Sequence, residues 1–292
     1  MRRIQLTENK GLGDNESPFV IAEIGNNHNG EIEIAKKLIK NAKDIGVDAV
    51  KFQVKDIESS FSKELLDGPY TGPNSFGKTY REHKEALEFS EEQLKELYDY
   101  AKKLDIICFA TPFDVKSVEL LERLDNPIYK ISSFHVVDLK LIEKICQTKK
   151  PILMSTGMST LNEIDKAMEL IKKHTDQIAL FQCTSCYPTD DEDVNLNVIP
   201  ALKEKYDCPV GYSGHERGTT VTIASVAIGG CMVERHFTLD RSMKGPDHAA
   251  SLEITGMSAV VERIKKTYVS LGTSEKNILE SELKNRKKFR GY

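Results

Sequence analysis

The chain has 292 residues, of which 39% are hydrophobic, and its 41 lysines and arginines stand against 45 aspartates and glutamates, for a net charge of −4. This balance argues against a nucleic-acid-binding protein, which usually concentrates basic residues on one face. No apolar run approaches the ~18 residues that a membrane helix needs, and the first residues lack the apolar segment of a signal peptide. We therefore expect a cytoplasmic protein.

Short apolar runs typical of β-strands alternate with longer amphipathic stretches along the chain. The predicted strands are residues 19–25, 49–54, 106–113, 128–133, 151–157, 177–183, 209–215 and 232–239. The predicted helices cover residues 34–45, a stretch from Ser90, 115–124, 139–148, a stretch from Thr160, 199–206, 219–228 and 255–271. Ser90 and Thr160 each begin a capping box, with Gln or Glu three positions later.

This strict alternation is typical of parallel strands joined by helices. Eight units in a chain of this length favour a closed (β/α)8 barrel, the TIM barrel of the α/β class, over an open doubly wound sheet. No G-x-G-x-x-G motif follows the first strand, which argues further against a dinucleotide-binding fold. We predict one barrel domain over residues 1–280 and a basic, frayed C-terminal tail over 281–292.

Two predicted connections are unusually long, residues 55–87 and 240–254. In barrels of this type the connections that follow the strands surround the active site. We therefore expect both connections to be candidate lids over the mouth of the barrel.

Six cysteines are scattered along the chain, and Cys183 and Cys186 form a C-x-x-C sequence. A zinc site would need a second ligand pair of similar spacing, which the sequence lacks. A thioredoxin-type pair would begin a helix, whereas Cys183 closes an apolar run. We therefore expect structural cysteines in the reduced state.

Polar residues recur where the predicted strands end, and every strand contributes at least one. Barrel enzymes place their sites at this end, and residues at i and i+2 of a strand project to one face. Because buried unpaired charge is strongly unfavourable, a ring of lysines and glutamates there indicates a site. The residues are Glu23, Lys51, Gln53, Thr111, Lys130, Ser132, Ser155, Thr184, Ser213, His215, Glu234 and His236.

Two lysines of this ring, Lys51 and Lys130, accompany four hydroxyl groups. The combination suits a phosphate and a carboxylate held together in a protein that is acidic overall. For one lysine, a salt bridge to Glu23 or Glu234 is an equally good explanation, but the whole set favours an anion site. The hydroxyl groups belong to Thr111, Ser132, Ser155 and Ser213.

His215 and His236 end neighbouring strands. Neutral imidazoles in this arrangement are able to share a divalent metal whose open positions take water or substrate oxygens. A lone histidine at a strand end is more often a hydrogen-bonding residue, but the flanking Glu234 and Asp247 favour the metal. His28 is interpreted as a cap on the first βα loop, and the other histidines receive no role.

Segments that contain these residues resemble the sialic acid synthase family, which includes N-acetylneuraminate, legionaminate and pseudaminate synthases. They run in order from about residue 19 to 273, and the form of residues 211–216 is most similar to N-acetylneuraminate synthases. The segments are IAEIGNNHNG (21–30), VKFQ (50–53), GKTYREH (77–83), STGM (155–158), QCTSCYP (182–188), EDVNL (192–196), GYSGHE (211–216), ERHFTLD (234–240) and KGPDHAASL (244–252).

The resemblance implies a transferase that condenses phosphoenolpyruvate with an N-acetylated amino-sugar aldehyde similar to N-acetylmannosamine, giving a sialic-acid-type nonulosonic acid and phosphate. It implies that phosphoenolpyruvate is held by Lys51, Thr111, Lys130, Ser132, Ser155, Thr184 and Ser213.

The same resemblance implies the remaining roles. The sugar would face Gln53 and Tyr187, and the candidates for proton transfer are Glu23, Glu234 and Asp247. The metal ligands would be His215 and His236, holding Mn2+, with Mg2+ or Co2+ as alternatives.

Family members usually continue into a small antifreeze-protein-like domain that reaches the partner subunit's site. This chain ends at Tyr292, about where that domain would begin. A longer natural protein and a barrel-only form both stay open, as do a homodimer and a separate antifreeze-like domain as partners.

Three other functions compete with this interpretation. They are a related 3-deoxy-ulosonate synthase that uses another aldose, a metal-dependent aldolase that uses pyruvate, and a non-catalytic ligand-binding barrel. The lysines and hydroxyls suited to phosphate argue against the pyruvate aldolase, and the presence of both histidines with Glu23, Lys51 and Lys130 argues against a non-catalytic barrel. The sequence leaves open which sugar is used and whether it carries a 6-phosphate.

Overall fold

The computed structural model of the protein describes residues 2–292, which form ten strands and twelve helices. The strands are β1 (Arg3–Thr7), β2 (Lys10–Gly13), β3 (Phe19–Gly25), β4 (Ala49–Val54), β5 (Ile107–Pro112), β6 (Tyr129–Ile131), β7 (Ile152–Ser155), β8 (Ile178–Cys183), β9 (Val210–Gly214) and β10 (Met232–His236). The helices are α1 (Ile32–Asp44), α2 (Ile57–Ser60), α3 (Lys63–Asp67), α4 (Tyr80–Glu85), α5 (Glu91–Lys103), α6 (Val115–Arg123), α7 (Leu139–Gln147), α8 (Leu161–Lys172), α9 (Val198–Tyr206), α10 (Thr220–Ala227), α11 (Ile254–Leu271) and α12 (Glu280–Arg290).

Strands β3 to β10 close into one barrel, and every neighbouring pair is parallel. Each of the eight predicted strands corresponds to one strand of the barrel, so the predicted (β/α)8 TIM barrel is confirmed. In β3, β9 and β10 every residue is buried, because one face of the strand points into the barrel and the other meets the helices.

Helices such as α1, α5, α7 and α8 pack around the barrel, and each buries one apolar stripe. In α7 the stripe contains Leu141, Ile142 and Ile145, which pack in the large core between the helices and the strands. Both predicted capping boxes are present, since the side chains of Ser90 and Thr160 accept a backbone N–H three residues later and the later side chain bonds back.

The amino end of the barrel is closed by a hairpin that the sequence analysis did not predict. Strands β1 and β2 pair antiparallel and bury Ile4, Leu6 and Leu12. These residues pack with inward-facing residues from the beginnings of the barrel strands. We call this group the amino-end cluster: Ile4, Leu6, Leu12, Phe19, Ile21, Ala49, Phe109, Ile128, Leu153, Ala179, Phe181, Cys231 and Met232.

The long connection between β4 and α5 contains the three short helices α2, α3 and α4. Its end passes close to the first βα loop, where Gly30 has φ +76° and an added Cβ would collide with the carbonyl oxygen of Ala86. Only glycine fits this position, because both the conformation and the space exclude a side chain. The connection is therefore anchored to the barrel at that point.

The predicted fourth strand is shorter than expected. It ends at Ile131, and residues Ser133–His135 form a 3-10 turn instead of continuing the strand. The turn carries Ser133 and His135 over the mouth of the barrel.

The tail predicted to be frayed is a helix instead. Helix α12 covers Glu280–Arg290, with acidic residues in its first turn and basic residues in its last. Charges in this arrangement interact favourably with the helix dipole. None of its residues is buried. Among residues 2–292, no helix has both the length and the apolar content needed to cross a membrane.

Candidate active site

The carboxyl ends of the barrel strands surround a cavity of about 430 Å3. Both long connections contribute to its walls, residues 55–87 with five side chains and residues 240–254 with one. All the site residues predicted from the sequence except Thr184 line it. They are Glu23, Lys51, Gln53, Thr111, Lys130, Ser132, Ser155, Tyr187, Ser213, His215, Glu234, His236 and Asp247.

Strand alternation brings these side chains together. In β4, Ala49 lies in the amino-end cluster, and Lys51 and Gln53 follow on the same face at intervals of two residues. In β10, Met232 lies in that cluster and Glu234 follows on the same face. One inward face thus changes from apolar to charged within a few residues.

Lys51 lies at the centre of the cavity floor. Its Nζ is 2.7 Å from Glu23 Oε2 and 3.5 Å from Glu234 Oε1, and it donates to Thr111 Oγ1 at 2.9 Å. Burial alone would lower the pKa of Lys51, but attraction to the two carboxylates outweighs burial and raises the pKa above its ordinary value. Lys51 is therefore a buried cation.

Lys130 contacts the same carboxylate of Glu234. Its Nζ donates to both oxygens of Glu234, at 3.0 and 3.1 Å. Burial, aided by repulsion from Lys51, lowers the pKa of Lys130 in spite of Glu234. Burial would raise the pKa of Glu234, but the two lysines lower it to about 2. Glu234 is therefore ionised between two ammonium groups.

A hydrogen-bonded chain connects the floor to the rim. Gln53 Nε2 donates to Glu23 Oε1 at 2.8 Å, and Gln53 Oε1 accepts from Lys55 Nζ at 3.1 Å. Lys55 Nζ also lies 3.2 Å from Glu88 Oε1. Glu23 is thus oriented by both Lys51 and Gln53, with one oxygen toward each.

The hydroxyl groups of the cavity differ in their partners. Ser155 Oγ is buried and has no hydrogen-bond partner among residues 2–292. Such an atom is rare in a folded protein and indicates a place where a ligand oxygen binds. Ser132 Oγ, by contrast, is 2.7 Å from His135 Nδ1.

The two predicted metal ligands lie side by side, with ring centres 5.4 Å apart. His215 Nδ1 is 2.9 Å from the carbonyl oxygen of Thr184, so this nitrogen donates and Nε2 carries the lone pair. Burial lowers the pKa of His215 to about 3, which keeps the ring neutral. His236 Nδ1 is buried without a hydrogen-bond partner among residues 2–292, and Asp247 Oδ2 lies 3.9 Å from it.

These features fit a divalent cation bound by few protein ligands. A neutral imidazole oriented by a backbone carbonyl is the usual form of a metal-binding histidine. In the described part of the chain no group of three or more His, Cys, Asp or Glu residues is arranged to hold a metal ion. The two histidines would therefore leave most coordination positions to water or substrate oxygens.

Asp247 and Tyr187 form the wall beside the histidines. Asp247 Oδ2 accepts a hydrogen bond from Asn26 Nδ2 at 2.9 Å. The ring of Tyr187 packs on the ring of His215 with centres 4.0 Å apart, and it precedes a cis peptide bond to Pro188. About half of the Tyr187 side chain is exposed to solvent.

Thr184 is the exception among the predicted residues. Its hydroxyl donates to the carbonyl oxygen of Asp193 at 2.8 Å and does not line the cavity. Cys183, the last residue of β8, lines the cavity, and the side chain of the next residue, Thr184, points elsewhere. Its contribution to this site is the carbonyl group that orients His215.

Several cavity residues have no role in the sequence analysis. Asn26 and Phe113 lie at strand ends, and Ser133 and His135 reach the cavity because β6 ends early. The connection between β4 and α5 supplies the others, Lys55, Ser60, Phe61, Tyr80 and Lys84. The available signal was the long loop itself, which was predicted to be a lid without assigning any residue.

His28 has the capping role that the sequence predicted. Its Nδ1 accepts a hydrogen bond from the backbone N–H of Gly30 at 3.1 Å, and its ring stacks on Phe89 at 4.1 Å. The six cysteines are unpaired, Cys183 being buried at the cavity and Cys186 exposed.

Comparison with known proteins places this geometry in a family. A model described as the NeuB family matches residues 38–276. N-acetylneuraminate-9-phosphate synthase of Mus musculus is 38% identical over 281 residues, covering 96% of this chain and 78% of that protein. N,N'-diacetyllegionaminic acid synthase of Campylobacter jejuni is 40% identical over 273 residues, covering 91% and 81%.

A solved structure agrees over the whole chain. The crystal structure of N-acetylneuraminic acid (sialic acid) synthetase from Leptospira borgpetersenii, in complex with citrate, superposes with a TM-score of 0.85 at 29% identity, covering 100% of this chain and 99% of that one. The predicted resemblance is confirmed, and the chain belongs to the NeuB family.

Proposed function

We propose that this protein is an enzyme that condenses phosphoenolpyruvate with an N-acetylated amino-sugar aldehyde, forming a sialic-acid-type nonulosonic acid and releasing phosphate. The main observation behind this proposal is the cavity floor, where Lys51 and Lys130 contact Glu234 in the same cavity as His215 and His236. The relatives are synthases of N-acetylneuraminate 9-phosphate and N,N'-diacetyllegionaminic acid, which supports the same reaction class.

The donor binds on the floor. Phosphoenolpyruvate carries a phosphate and a carboxylate, and the two lysines supply charge for both groups. The hydroxyl groups around them supply hydrogen bonds, and the unpartnered Ser155 Oγ accounts for one of these directly. The donor-binding set is Lys51, Thr111, Lys130, Ser132, Ser155 and Ser213.

In the reaction, charge develops at the aldehyde group and at C2 of phosphoenolpyruvate. C3 of phosphoenolpyruvate bonds to the aldehyde carbon while the aldehyde oxygen gains a proton. Water then adds at C2, losing a proton, and phosphate leaves by cleavage of the C2–O bond. Glu234, ionised between the lysines, is suited to stabilise positive charge that develops at C2 rather than to donate a proton. Glu23 and Asp247 are then the candidates for proton transfer.

His215 and His236 would hold a divalent cation, which we propose to be Mn2+, with Mg2+ or Co2+ as alternatives. When bound, the ion supplies electrophilic polarisation of the aldehyde oxygen. The protein's own contribution is to keep His215 neutral through burial and to orient its ring through the Thr184 carbonyl. Gln53 and Tyr187, which line the cavity, would contact the sugar. A cytoplasmic location is also part of this proposal, because unpaired cysteines such as the six of this chain are typical of a reducing compartment.

The test is phosphate release from phosphoenolpyruvate with a panel of N-acetylated hexoses and unmodified aldoses, followed by mass spectrometry of the products. We expect one phosphate per nine-carbon product formed, and activity that chelation of metal removes. Release with unmodified aldoses alone would identify a 3-deoxy-ulosonate synthase. Use of pyruvate without phosphate release would identify an aldolase, and no turnover with binding retained would identify a ligand-binding barrel.

A further inference from the structure

A buried ion pair lies behind the wall of the cavity that carries the two histidines. In β10, Glu234 and His236 line the cavity, whereas Arg235 between them points to the opposite face of the strand and is only 1% exposed. Its partner is Glu216, which follows His215 directly and is 0% exposed. Arg235 Nη1 and Glu216 Oε1 are 2.7 Å apart. Each charge is thus the sequence neighbour of one predicted metal ligand.

Arg235 also binds the main chain that follows His215. Its Nη2 donates to the backbone carbonyl oxygen of Glu216 at 2.6 Å, and its Nη1 donates to the backbone carbonyl oxygen of Gly218 at 2.9 Å. One guanidinium group therefore holds this segment at two backbone positions as well as through a carboxylate. Because the guanidinium is planar and its donors have fixed directions, these bonds define where the segment lies relative to β10.

The carboxylate of Glu216 is held from its other sides. Its Oε2 accepts from the hydroxyl of Tyr212 in β9 at 2.8 Å, and its Oε1 accepts from the hydroxyl of Thr222 in α10 at 2.6 Å. Thr222 Oγ1 in turn accepts from Arg235 Nη1 at 2.6 Å. An added Cβ at Gly214 would collide with both the Glu216 carboxylate and the Tyr212 ring, so the glycine leaves space for this network. The network joins β9, β10 and α10.

Stability alone does not account for two charges buried at this place. Removing both charges from water costs about as much as their attraction returns, and packed apolar residues would join the strands equally well. The ion pair adds direction, because hydrogen bonds depend on angle and apolar contact does not. Arg235 lies opposite Gly214 in the register of β10 and β9, one residue before both histidines. The bonds therefore act where the two strands deliver His215 and His236.

The two histidine rings are held differently. The ring of His215 is oriented by the Thr184 carbonyl and packs on Tyr187, both in the loop after β8. His236 Nδ1 is buried without a hydrogen-bond partner among residues 2–292. The position of the His236 ring thus depends on packing and on the backbone that carries it, which begins at Arg235.

We propose that Arg235 and Glu216 are positioning residues that fix the separation of His215 and His236 and thereby the affinity of this site for a divalent cation. This inference rests on the proposed function, since it takes both histidines as ligands of the cation. Neither Arg235 nor Glu216 lines the cavity, so each acts through the backbone beside a histidine and not by touching the ion or a substrate.

The test replaces both members of the pair, because loss of one alone leaves an unpaired buried charge and strongly destabilises the fold. In the double variant Arg235→Met with Glu216→Gln, no charge remains, and the glutamine still accepts from Tyr212 and Thr222. We expect its midpoint of chemical denaturation to stay close to that of wild type. Calorimetry with Mn2+ alone should show an affinity about 10- to 100-fold weaker, the usual loss when a group that supports a metal ligand is removed.

Kinetics distinguish positioning from a general loss of structure. In the double variant the Mn2+ concentration that gives half-maximal turnover should rise by the same factor as the dissociation constant. A barrel that is merely less stable would lower kcat through a smaller folded fraction, at an unchanged half-saturating Mn2+ concentration. That result, or wild-type Mn2+ affinity in the folded double variant, would overturn the inference. Lys203→Met with Asp14→Asn removes an ion pair between α9 and the residue after β2, and this matched control should bind Mn2+ as wild type does.

Crystal structures without metal separate this inference from the proposed function. The ring centres of His215 and His236 are 5.4 Å apart in the wild-type chain. If wild type neither binds Mn2+ nor turns over any acceptor, the proposed function fails, but a changed separation of the rings in the double variant still supports the positioning role. An unchanged separation and orientation of the rings would overturn that role, even if the condensation itself is confirmed.

Discussion

The two ends of the barrel are built from the same eight strands but have opposite chemistry. At the amino end, residues such as Phe109 and Phe181 fill the interior, and Leu12 of the hairpin closes it. At the carboxyl end, the same inward face carries Lys51 and Glu234 in a cavity. In β4 the change from Ala49 to Lys51 takes only two residues.

This difference separates stability from chemistry along the barrel axis. The amino end gains free energy from apolar burial, which does not depend on charge or ligand. The carboxyl end holds buried ion pairs, whose attraction is largely cancelled by desolvation, and it retains unsatisfied groups such as Ser155 Oγ and His236 Nδ1. Substitutions at the two ends should therefore affect different measurements.

Removal of a floor cation should give the largest effect on activity. Lys130→Met removes the ammonium group that bonds both oxygens of Glu234, and we expect kcat/KM for phosphoenolpyruvate to fall by about 10²–10³. Steady-state kinetics with each substrate varied in turn would measure this. Lys140→Met, on the exposed surface of α7, is the control. Equal changes in KM for donor and sugar would contradict a donor-binding role for Lys130.

A substitution at the amino end should lower stability instead. Leu12 is fully buried in the amino-end cluster, and Leu12→Ala should reduce the free energy of unfolding by about 2–5 kcal/mol because it leaves a cavity. Chemical denaturation measures this value, and KM at low temperature should be unchanged. Leu279→Ala, at an exposed position before α12, should have little effect. A Leu12→Ala variant with normal stability and impaired KM would break the proposed separation.

The sequence was informative where local pattern and tertiary structure agree. Alternation of apolar strands with amphipathic helices specifies the barrel, and the i, i+2 spacing specifies which side chains of a strand share the cavity. Residues such as Lys51 and Glu234 could therefore be placed together without coordinates. The family resemblance added their substrates, which alternation alone does not supply.

The sequence was uninformative where long-range contacts decide the conformation. The β1–β2 hairpin is short and mixes polar with apolar residues, so its burial depends on the open end of the barrel beneath it. Lys84 lines the cavity from the long connection, whose end lies against Gly30, far away in the sequence. Strand β6 ends at Ile131, two residues earlier than predicted, so the sequence did not place His135 at the cavity. Strand β8 ends at Cys183 as predicted, but Thr184 lies beyond it and bonds to Asp193 instead of lining the cavity.

Loss of a predicted metal ligand should selectively impair metal binding and metal-dependent turnover. Removing a group that only supports a metal ligand lowers metal affinity or activity by about 10–100-fold. Because His236 would be a ligand itself, His236→Ala should reduce Mn2+ affinity and metal-dependent turnover by at least about 100-fold. Calorimetry with Mn2+ alone measures the first quantity. His174→Ala, which removes a surface histidine 3.2 Å from Glu143, is the control. Full activity of His236→Ala, or wild-type activity that survives chelation, would contradict the metal role.

The last expected effect is a pH dependence of the free energy of unfolding, which should arise from His28 in the loop after β3 and not from the amino-end cluster. Burial lowers the pKa of His28 from 6.5 to about 3, so the folded protein keeps this ring neutral while the unfolded chain takes up a proton below pH 6.5. The stability it contributes is therefore complete above pH 6.5 and is lost as the pH falls toward 3, at up to about 1.4 kcal/mol per pH unit. His28→Gln should lessen the decline in unfolding free energy between pH 6.5 and 4, measured by denaturation at each pH, although it lowers stability at neutral pH. Leu12→Ala should retain the wild-type slope, because the group it removes does not titrate. If His28→Gln kept the full slope and Leu12→Ala reduced it, acid sensitivity would arise from the amino end, and the assignment of titrating groups to the carboxyl end would be wrong.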